Sequence, residues 1–476
     1  MSQQLLKKIL PTHPIMIYPL WSGVGRHMKQ ENFIVLNNAE SLLVAEPNVI
    51  RMARDYLSYK VEGSEFANNP YWDGRVKLMI KVGSFPTGLI RRLVKWFKVK
   101  GLPYKVEDRR IKPSRRSKLA LKLPKGWTPR DYQIECADLA RKKQRGVFNV
   151  ATGGGKSLIA AMIIEAKDVD TLIVTPGNSL REQLADDLIK WFGDAHVSTK
   201  LDSGKQIIIS NIQHLAKQPK ELLGRFRALL IDEFHHSGAS SYKEVSKSCV
   251  NAFYRYGLTG TFFRTDGTDM EMHGVLSEVI YRKTASDLIK AGWLAKPYIS
   301  IHTIDLPPYI KNSSYRDAYN AVIEYGPLNE KIVDIAETAI QNKKRTLILV
   351  RRKAHGELLK DLIQDSAYIC GDDCIEERES LKAHFERGSI RCLIATSVFG
   401  EGVDIPAIDV LINARYQKTE IETVQGIGRA LRIYPGKTKA EVHDFLLKGQ
   451  RNLNEHSRHR INGYKKEPEF EIEILA

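Results

Sequence analysis

The chain has 476 residues, of which 43% are hydrophobic and 27% are charged. This length predicts two or three domains, and the composition is typical of a globular protein. No apolar run is long enough to cross a bilayer and the start does not resemble a signal peptide, so we expect a soluble protein of the cytoplasm.

The charge of the chain is concentrated near its start. The net charge is +17, and residues 1–124 hold 23 lysines and arginines against 9 acidic residues, which accounts for +14 of it. Such an imbalance predicts that the first quarter of the chain binds a polyanion. The alternative is a basic surface that only maintains solubility.

The number and spacing of the cysteines argue against a disulfide framework. There are five, an odd number, scattered at positions 136, 249, 370, 374 and 392, which favours a reducing compartment. Cys370 and Cys374 have the spacing of half a metal site, but no second pair follows them. We therefore interpret both as core residues beside the end of a strand.

The first 110 or so residues predict a small α+β domain. The runs NFIVLN and VKLMIKVG favour strands, and the apolar positions of LIRRLVKWFKVKG recur at helical spacing. The basic run 109–118, RRIKPSRRSK, has no apolar periodicity and contains a proline. It indicates a linker that can also contact phosphates.

From about Lys125 the chain alternates short apolar strands with amphipathic helices. Strands are predicted at GVFNVA, TLIVTP, QIIISN, ALLIDE and YGLTGT, and this alternation predicts a doubly wound parallel sheet. After a less regular stretch from Tyr298 to Asn329, the rhythm returns with RTLILV, AYICG, RCLIAT, DVLINA and AEVHDFL. A second α/β domain of the same build is expected, followed by a polar tail after Lys448 without a clear pattern.

The segment ATGGGKS, residues 151–157, follows the predicted strand GVFNVA and precedes a helix that begins near Lys156. In this context backbone N–H groups and the helix dipole hold phosphate. Lys156 would neutralise the β and γ charges of ATP, and the hydroxyl of Ser157 would ligate Mg²⁺. The phosphates would be wrapped by Thr152, Gly153, Gly154 and Gly155. The strict pattern has glycine where Val150 stands.

Two acidic residues end the predicted strand ALLIDE, at the edge of the sheet where ligands bind. Asp232 there can hold Mg²⁺ through water, and Glu233 can orient and deprotonate the attacking water. His235 is expected to link the nucleotide to the domain interface, and His236 is interpreted as structural.

The segment QGIGRALR can supply arginines to the same nucleotide from elsewhere in the chain. Arg429 and Arg432 lie three positions apart on a predicted helix, residues 420–432, and so share one face. A guanidinium that reaches the γ-phosphate from another domain stabilises the transition state and loses its contact on hydrolysis. Gln425 and Gly428 favour this function over that of ordinary surface arginines.

Taken in order, these segments resemble the motifs of the superfamily 2 helicases and translocases from about Lys125 to Leu447. PRDYQ (129–133) is similar to the adenine-reading Q motif, ATGGGKS to motif I, TPGNSLREQ to motif Ia, DEFH to motif II, LTGT (258–261) to motif III, ATSVFGEGVDIP (395–406) to motif V and QGIGRALR to motif VI. The resemblance implies two tandem RecA-like domains, 113–296 and 297–476, after a basic DNA-binding domain of residues 1–112.

The resemblance also implies further site residues. Arg130 and Gln133 would contact adenine, and Gly402 and Asp404 would lie near ATP at the interdomain cleft. Thr259 and Thr261 would couple hydrolysis to strand movement, although LTGT differs from the SAT of many relatives. Contacts to the phosphate backbone would come from Thr175, Arg181 and Thr396.

The segments NNPYWDGRVKLM (68–79) and FPTGLIRRLVKWFK (85–98) resemble the N-terminal domain of phage recombination helicases. This resemblance implies ATP-dependent remodelling of branched DNA, that is of Holliday junctions, forks, D-loops and R-loops, without sequence preference and with 3′ to 5′ polarity. It places Trp72 and Arg75 at the DNA, although Trp72 is equally interpretable as a core aromatic. The expected protein is a monomer that acts in recombination, repair and replication, in the bacterial host cytoplasm if it is a phage product.

Three alternatives remain open at this point. Two are enzymes, an RNA-directed helicase and the motor subunit of a restriction system, and the second is weakened because no nuclease-like cluster is found outside the motor. The third is a DNA-binding regulator with a vestigial ATP site.

Overall fold

The computed structural model describes residues 31–61, 64, 72–116, 119–234, 240–260, 269–396, 408–418, 426–428, 430–434, 437 and 439–475. Outside these ranges lie the predictions for His235, His236, Thr261, Gly402, Asp404, Gln425 and Arg429. Within the described part of the chain, no helix is both long enough and apolar enough to span a bilayer.

The first domain is a small α+β unit, as predicted. Its strands are β1 (Asn32–Leu36), β2 (Glu40–Val44), β3 (Ser58–Lys60), β4 (Arg75–Lys77), β5 (Ser84–Pro86) and β6 (Tyr104–Asp108), and its helices are Pro47–Tyr56 and Ile90–Lys100. One sheet has the order β5-β2-β1-β6, and β3 pairs with β4 in a separate hairpin. Helix Ile90–Lys100 buries Leu93, Trp96 and Phe97, the helical spacing expected from the sequence.

The second domain contains a seven-stranded parallel sheet with the order β13-β7-β12-β11-β8-β10-β9. Its strands are β7 (Arg145–Val150), β8 (Thr171–Thr175), β9 (Val197–Ser198), β10 (Ile207–Asn211), β11 (Ala228–Ile231), β12 (Tyr254–Thr259) and β13 (Val279–Lys283). Its helices are Asp131–Lys142, Lys156–Lys167, Asn178–Phe192, Ile212–Leu215, Lys220–Leu223, Ser240–Ser248, Asp269–Val275 and Ala285–Lys290. Every residue of β8, β10 and β12 is buried, because helices cover both faces.

The third domain repeats this architecture with the order β16-β17-β15-β18-β19-β14-β20, again parallel. Its strands are β14 (Lys296–Asp305), β15 (Thr346–Val350), β16 (Ser366–Ile369), β17 (Cys392–Ala395), β18 (Val410–Ala414), β19 (Lys439–Lys448) and β20 (Glu471–Leu475). Its helices are Pro308–Lys311, Tyr315–Ile323, Gly326–Gln341, Lys353–Leu362, Ile375–Arg387 and Arg451–Lys465. The predicted fold class, two doubly wound parallel sheets after a small α+β domain, is confirmed.

Two stretches that the sequence left unspecified are regular elements. The stretch after Tyr298 begins inside β14, whose residues alternate between buried and half-buried positions, so it lacks the continuous apolar run expected of a buried parallel strand. The tail forms helix Arg451–Lys465 and strand β20. That helix buries Ser457 and Arg460 on its inner face, and polar residues there conceal its apolar period.

A buried charge network holds the tail helix on its domain. Arg460 and Asp444 are each 1% exposed and form an ion pair with an N–O distance of 2.9 Å. Arg460 also donates to the backbone carbonyls of Gln417 and Phe445, both at 2.9 Å, and the Tyr464 hydroxyl donates to Asp444 at 2.5 Å. Such a pair is tolerated in the core because its hydrogen bonds are satisfied. The tail helix is thereby bonded to Gln417, which lies in the segment before motif VI.

The first domain packs against the second around one glycine. A Cβ atom on Gly88 would overlap the carbonyl oxygen of His273, in helix Asp269–Val275. Met270 of that helix belongs to the hydrophobic core of the first domain. Lys247 and Glu40 add an ion pair of 3.0 Å across the interface. The helix that follows motif III is therefore shared between the two domains.

The arginines of the basic linker contact the protein itself. Arginines of the linker pair with carboxylates of the protein itself, Arg110 with Asp108 at 2.7 Å and Arg116 with Asp170 at 2.8 Å.

Cys370 is buried as predicted, but the prediction for Cys374 is wrong. Cys374 is exposed, and its sulfur accepts a hydrogen bond from a backbone N–H at the start of helix Ile375–Arg387. Among the described residues no group of three or more histidine, cysteine, aspartate or glutamate side chains could hold a metal ion.

Buried histidines predict that the third domain is destabilised by acid. Burial lowers the pKa of both His355 and His443 to about 4, against about 6.5 in an unfolded chain. Below pH about 6.5 the unfolded state therefore takes up protons that the folded state does not. Their contribution to stability is full above pH about 6.5, and as the pH falls towards about 4 it is lost, by up to about 1.4 kcal/mol per pH unit for each histidine.

Urea unfolding at about pH 7, 6 and 5 measures this effect. His355→Gln should flatten the dependence of the unfolding free energy on pH, because glutamine does not titrate and can still bond Asn329, which lies 3.0 Å from His355. An unchanged slope in that variant would assign the acid sensitivity to other groups.

Candidate active site

The turn after β7 has the shape of a phosphate cradle. Gly153 and Gly155 have φ angles of 82° and 71°, a left-handed conformation that favours glycine. Helix Lys156–Lys167 begins directly after Gly155, so its free N–H groups and positive dipole end face the turn. Val150, the departure from the strict pattern, is the last residue of β7. The turn itself keeps all three glycines.

The acidic pair lies beside the lysine of this turn. Asp232 and Glu233 follow β11, and Glu233 Oε1 is 3.3 Å from Lys156 Nζ. Burial and the neighbouring Glu233 carboxylate raise the pKa of Asp232 to about 6, although Lys156 opposes the shift. Two carboxylates and one ammonium in a half-buried pocket can bind a divalent cation and position a water molecule.

Motif III meets the cradle at the end of the neighbouring strand. Thr259 is fully buried at the end of β12. A Cβ atom on the next residue, Gly260, would lie 2.9 Å from Thr152 Oγ1 and 3.2 Å from Lys156 Nζ. A side chain at position 260 would press on Thr152, so motif III packs directly against the cradle.

The Q motif braces the cradle from the other side. The Gln133 side chain donates to the carbonyls of Gly154 and Gly155 at 3.2 and 3.5 Å, and it accepts the N–H of Arg130 at 2.9 Å. Tyr132, which we did not single out from the sequence, donates its hydroxyl to Gly154 O at 2.7 Å. The sequence signal that could have identified Tyr132 is its position within the segment PRDYQ. The amide of Gln133 is thus engaged with protein backbone.

Motif VI of the third domain lies across the cradle of the second. A Cβ atom on Gly428 would lie 2.7 Å from Thr152 Cβ, and one on Gly153 would lie 3.7 Å from Arg432 Cγ. Burial lowers the pKa of Arg432 to about 10. The phosphate cradle and the arginine segment therefore face a single cleft between the two α/β domains.

The residues predicted to contact DNA differ from one another in burial and in hydrogen-bond partners. Thr175 is fully buried, and its hydroxyl donates to Gly177 O at 3.1 Å. Arg181 pairs with Glu182 at 3.0 Å. Thr396 is 6% exposed, and its hydroxyl has no hydrogen-bond partner in the described part of the chain.

The remaining two predicted contacts belong to the hairpin of β3 and β4. Trp72 is 38% exposed and donates its indole N–H to Arg75 O at 3.0 Å. The guanidinium of Arg75 donates to Ser58 Oγ and O at 2.9 and 3.1 Å. Arg75 therefore contributes to the pairing of the two strands.

Three family models match the chain in the order of its domains. They are DNA helicase UvsW, N-terminal, at residues 32–107, the res subunit of type III restriction enzymes at 126–264, and the helicase conserved C-terminal domain at 329–434. The last two cover the cradle and the motif VI segment that meet in the cleft. In the order of these models the chain is similar to the superfamily 2 helicases. It is an ATP-dependent helicase.

Relatives of the helicase include phage proteins of similar length. ATP-dependent DNA helicase uvsW of Enterobacteria phage T4 is 25% identical over 440 residues, which cover 84% of this chain and 87% of the relative. Probable helicase D10 of Escherichia phage T5 is 25% identical over 408 residues, 80% of this chain and 86% of the relative. A fragment assigned to the HsdR subunit of a type I restriction enzyme from Vibrio vulnificus YJ016 shares the fold, with a TM-score of 0.58 at 16% identity over 74% of this chain and 69% of the fragment.

Proposed function

We propose that the protein is a DNA helicase and translocase that uses ATP to unwind or migrate branched DNA. The observation that supports this most directly is the approach of Gly428 and Arg432 to Thr152 and Gly153 across one cleft. A nucleotide in that cleft would touch both α/β domains. Loss of its terminal phosphate would remove one side of the contact and let the domains separate.

Each residue of the cleft has a proposed role in this cycle. Lys156 would neutralise the β- and γ-phosphates, Ser157 and Asp232 would hold Mg²⁺, and Glu233 would orient the attacking water. A hydroxyl and a carboxylate are the oxygen donors that Mg²⁺ prefers, and the ion would neutralise charge that develops on the phosphates. From the third domain Arg429 and Arg432 would stabilise the transferred phosphate, with Gln425, Gly402 and Asp404 beside them.

DNA would be gripped through its phosphates and hence without sequence preference. The phage T4 relative, which is named a DNA helicase, supports DNA over RNA as the substrate. The boundaries that we propose are residues 1–112 for the DNA-anchoring domain and 113–296 and 297–476 for the motor. Holliday junctions, forks, D-loops and R-loops are the proposed substrates, with 3′ to 5′ movement of a monomer.

ATP hydrolysis and strand displacement on a panel of nucleic acids test this proposal. The panel contains single-stranded DNA, duplex, fork, Holliday junction, D-loop, RNA–DNA hybrid and RNA. We expect the branched DNAs to stimulate turnover most. Stimulation by RNA alone would indicate an RNA-directed helicase, and tight, salt-sensitive binding without turnover would indicate a regulator with a vestigial site.

The exposed face of helix Ile90–Lys100 is the proposed anchor for duplex phosphates. Lys95, Lys98 and Lys100 are exposed, and no acidic residue interrupts the helix. Changing all three to glutamine should weaken junction binding and reduce the slope of log K against log salt by up to about 3, because about one counterion is released for each phosphate contact. Lys360→Gln, on an exposed position of the third domain, is the comparison. Equal slopes in the triple variant and the wild type would contradict this assignment.

A further inference from the structure

We propose that Trp293 is the surface on which the adenine base of ATP stacks. This inference rests on the proposed function and adds a residue outside every motif. Trp293 lies in the linker between helix Ala285–Lys290 and strand β14, and 41% of its surface is exposed. A large aromatic side chain that is left partly exposed beside a cleft requires an explanation.

The first argument is that the glutamine of the Q motif is already engaged. Gln133 is 3% exposed, and both ends of its amide bond protein backbone, at Arg130, Gly154 and Gly155. A side chain used in this way sets the shape of the cradle. The base must then be held in large part by other groups near the same end of the cleft.

The second argument is the position of Arg130. Its guanidinium carbon lies 4.5 Å from the centre of the Trp293 ring, a cation–π contact. Arg130 also donates to the Tyr132 hydroxyl at 2.9 Å, and that hydroxyl donates to Gly154 O at 2.7 Å. A continuous chain of contacts thus joins the indole to the phosphate cradle. Indole and guanidinium both offer flat surfaces to a nucleobase.

The third argument is that the linker is fixed on both sides of Trp293. The backbone N–H of Trp293 donates to Leu288 O at 2.8 Å. The backbone N–H of Ala295 donates at 2.7 Å to the carbonyl of Leu431, the residue before Arg432. Leu294 packs on the cradle, since a Cβ atom on Gly153 would lie 2.8 Å from its Cδ2 atom. A rigid platform costs little entropy when the base binds. A base on Trp293 would also steady the contact between cradle and motif VI.

The chemistry of stacking defines which nucleotides the site accepts. Stacking reads the π face of a base and not its hydrogen-bonding edge, and the larger ring system of a purine offers more contact area. ATP, dATP and GTP should therefore be hydrolysed with similar KM values. CTP and UTP should require markedly higher concentrations.

Trp293→Ala in the full chain tests the platform. Loss of one stacked base contact should raise the KM for ATP by about 5- to 150-fold, with kcat at saturating ATP largely retained. Trp293→Phe should recover most of the affinity. Inorganic tripolyphosphate, which has no base, should inhibit the wild type and Trp293→Ala at the same concentration.

Trp127→Ala is the matched control, because Trp127 is another exposed tryptophan close in sequence to the Q motif, at 58% exposure. It should leave the KM for ATP unchanged. The proposal is overturned if the KM of Trp293→Ala equals that of the wild type, if Trp127→Ala alone raises it, or if tripolyphosphate inhibition weakens as much as ATP binding. The last result would assign Trp293 a purely structural role.

Binding of ADP, followed by calorimetry, separates this proposal from the proposed function. It requires no turnover, so weaker ADP binding by Trp293→Ala supports the platform even in a protein that does not move DNA. If the wild type binds ADP but shows no DNA-stimulated hydrolysis, the proposed motor function is wrong. Comparing ADP binding by Trp293→Ala and Trp127→Ala would still test the platform.

Discussion

Lys156→Ala should abolish ATP turnover and, with it, every strand-displacement and branch-migration activity. The ammonium is the positive group that the described residues place in the cradle, 3.3 Å from Glu233. Without it, one of the positive charges that would offset the phosphates and the two carboxylates is lost. We expect kcat to fall by at least about 10²- to 10³-fold, the effect of removing one preorganised charge-stabilising group, as measured by phosphate release in the presence of a DNA fork.

Two further variants make that result specific. Lys156→Arg keeps the charge but enlarges the head group, and it should recover little activity because the turn fits a compact ammonium. Lys190→Ala, at an exposed position on helix Asn178–Phe192, should behave as the wild type. Lys156→Ala should still bind DNA. Branch migration that persists in Lys156→Ala would require the motor proposal to be abandoned.

The arginines of motif VI should each be needed for hydrolysis but not for nucleotide binding. Arg432 lies against the cradle, and Arg429 belongs to the same segment. An arginine that stabilises the transferred phosphate contributes about 10³- to 10⁵-fold to kcat. We expect Arg429→Ala to lose activity on this scale and Arg432→Ala to lose part of it, while a fluorescent ADP analogue binds both variants as it binds the wild type.

Lysine replacements and a distant arginine provide the controls. Arg429→Lys should remain nearly inactive, because an ammonium lacks the planar fork that can bond two phosphate oxygens at once. Arg458→Ala changes an exposed arginine on the tail helix, which bonds Asn454 on the same helix, and it should keep full activity. Turnover at the wild-type level in Arg429→Ala would show that Arg429 does not stabilise the transferred phosphate.

The elements that were predictable from the sequence are those with a strong local pattern. Strand β11 is a continuous apolar run, helix Ile90–Lys100 repeats its apolar residues at helical spacing, and the cradle glycines occupy the turn between a strand and a helix. In each case the information lies within about fifteen consecutive residues. The secondary structure of these elements follows from that pattern alone.

What the sequence did not reveal depends on contacts between distant parts of the chain. Strand β14 is half buried because β20, from the end of the chain, covers its edge. The tail helix buries Arg460 because Asp444 of β19 neutralises it. Gln133 bonds the cradle and Trp293 contacts Arg130 because the fold brings distant segments together. No local sequence pattern predicts these contacts.

The close approach of Gly88 to helix Asp269–Val275 determines which half of the motor carries the basic domain. Because Met270 is built into that domain's core, we expect the basic domain and the ATP cradle to move as one body in the proposed cycle. The third domain is then the half that shifts relative to both. A DNA arm held by the basic domain would stay in place with respect to the cradle, while the other half draws the strand past it.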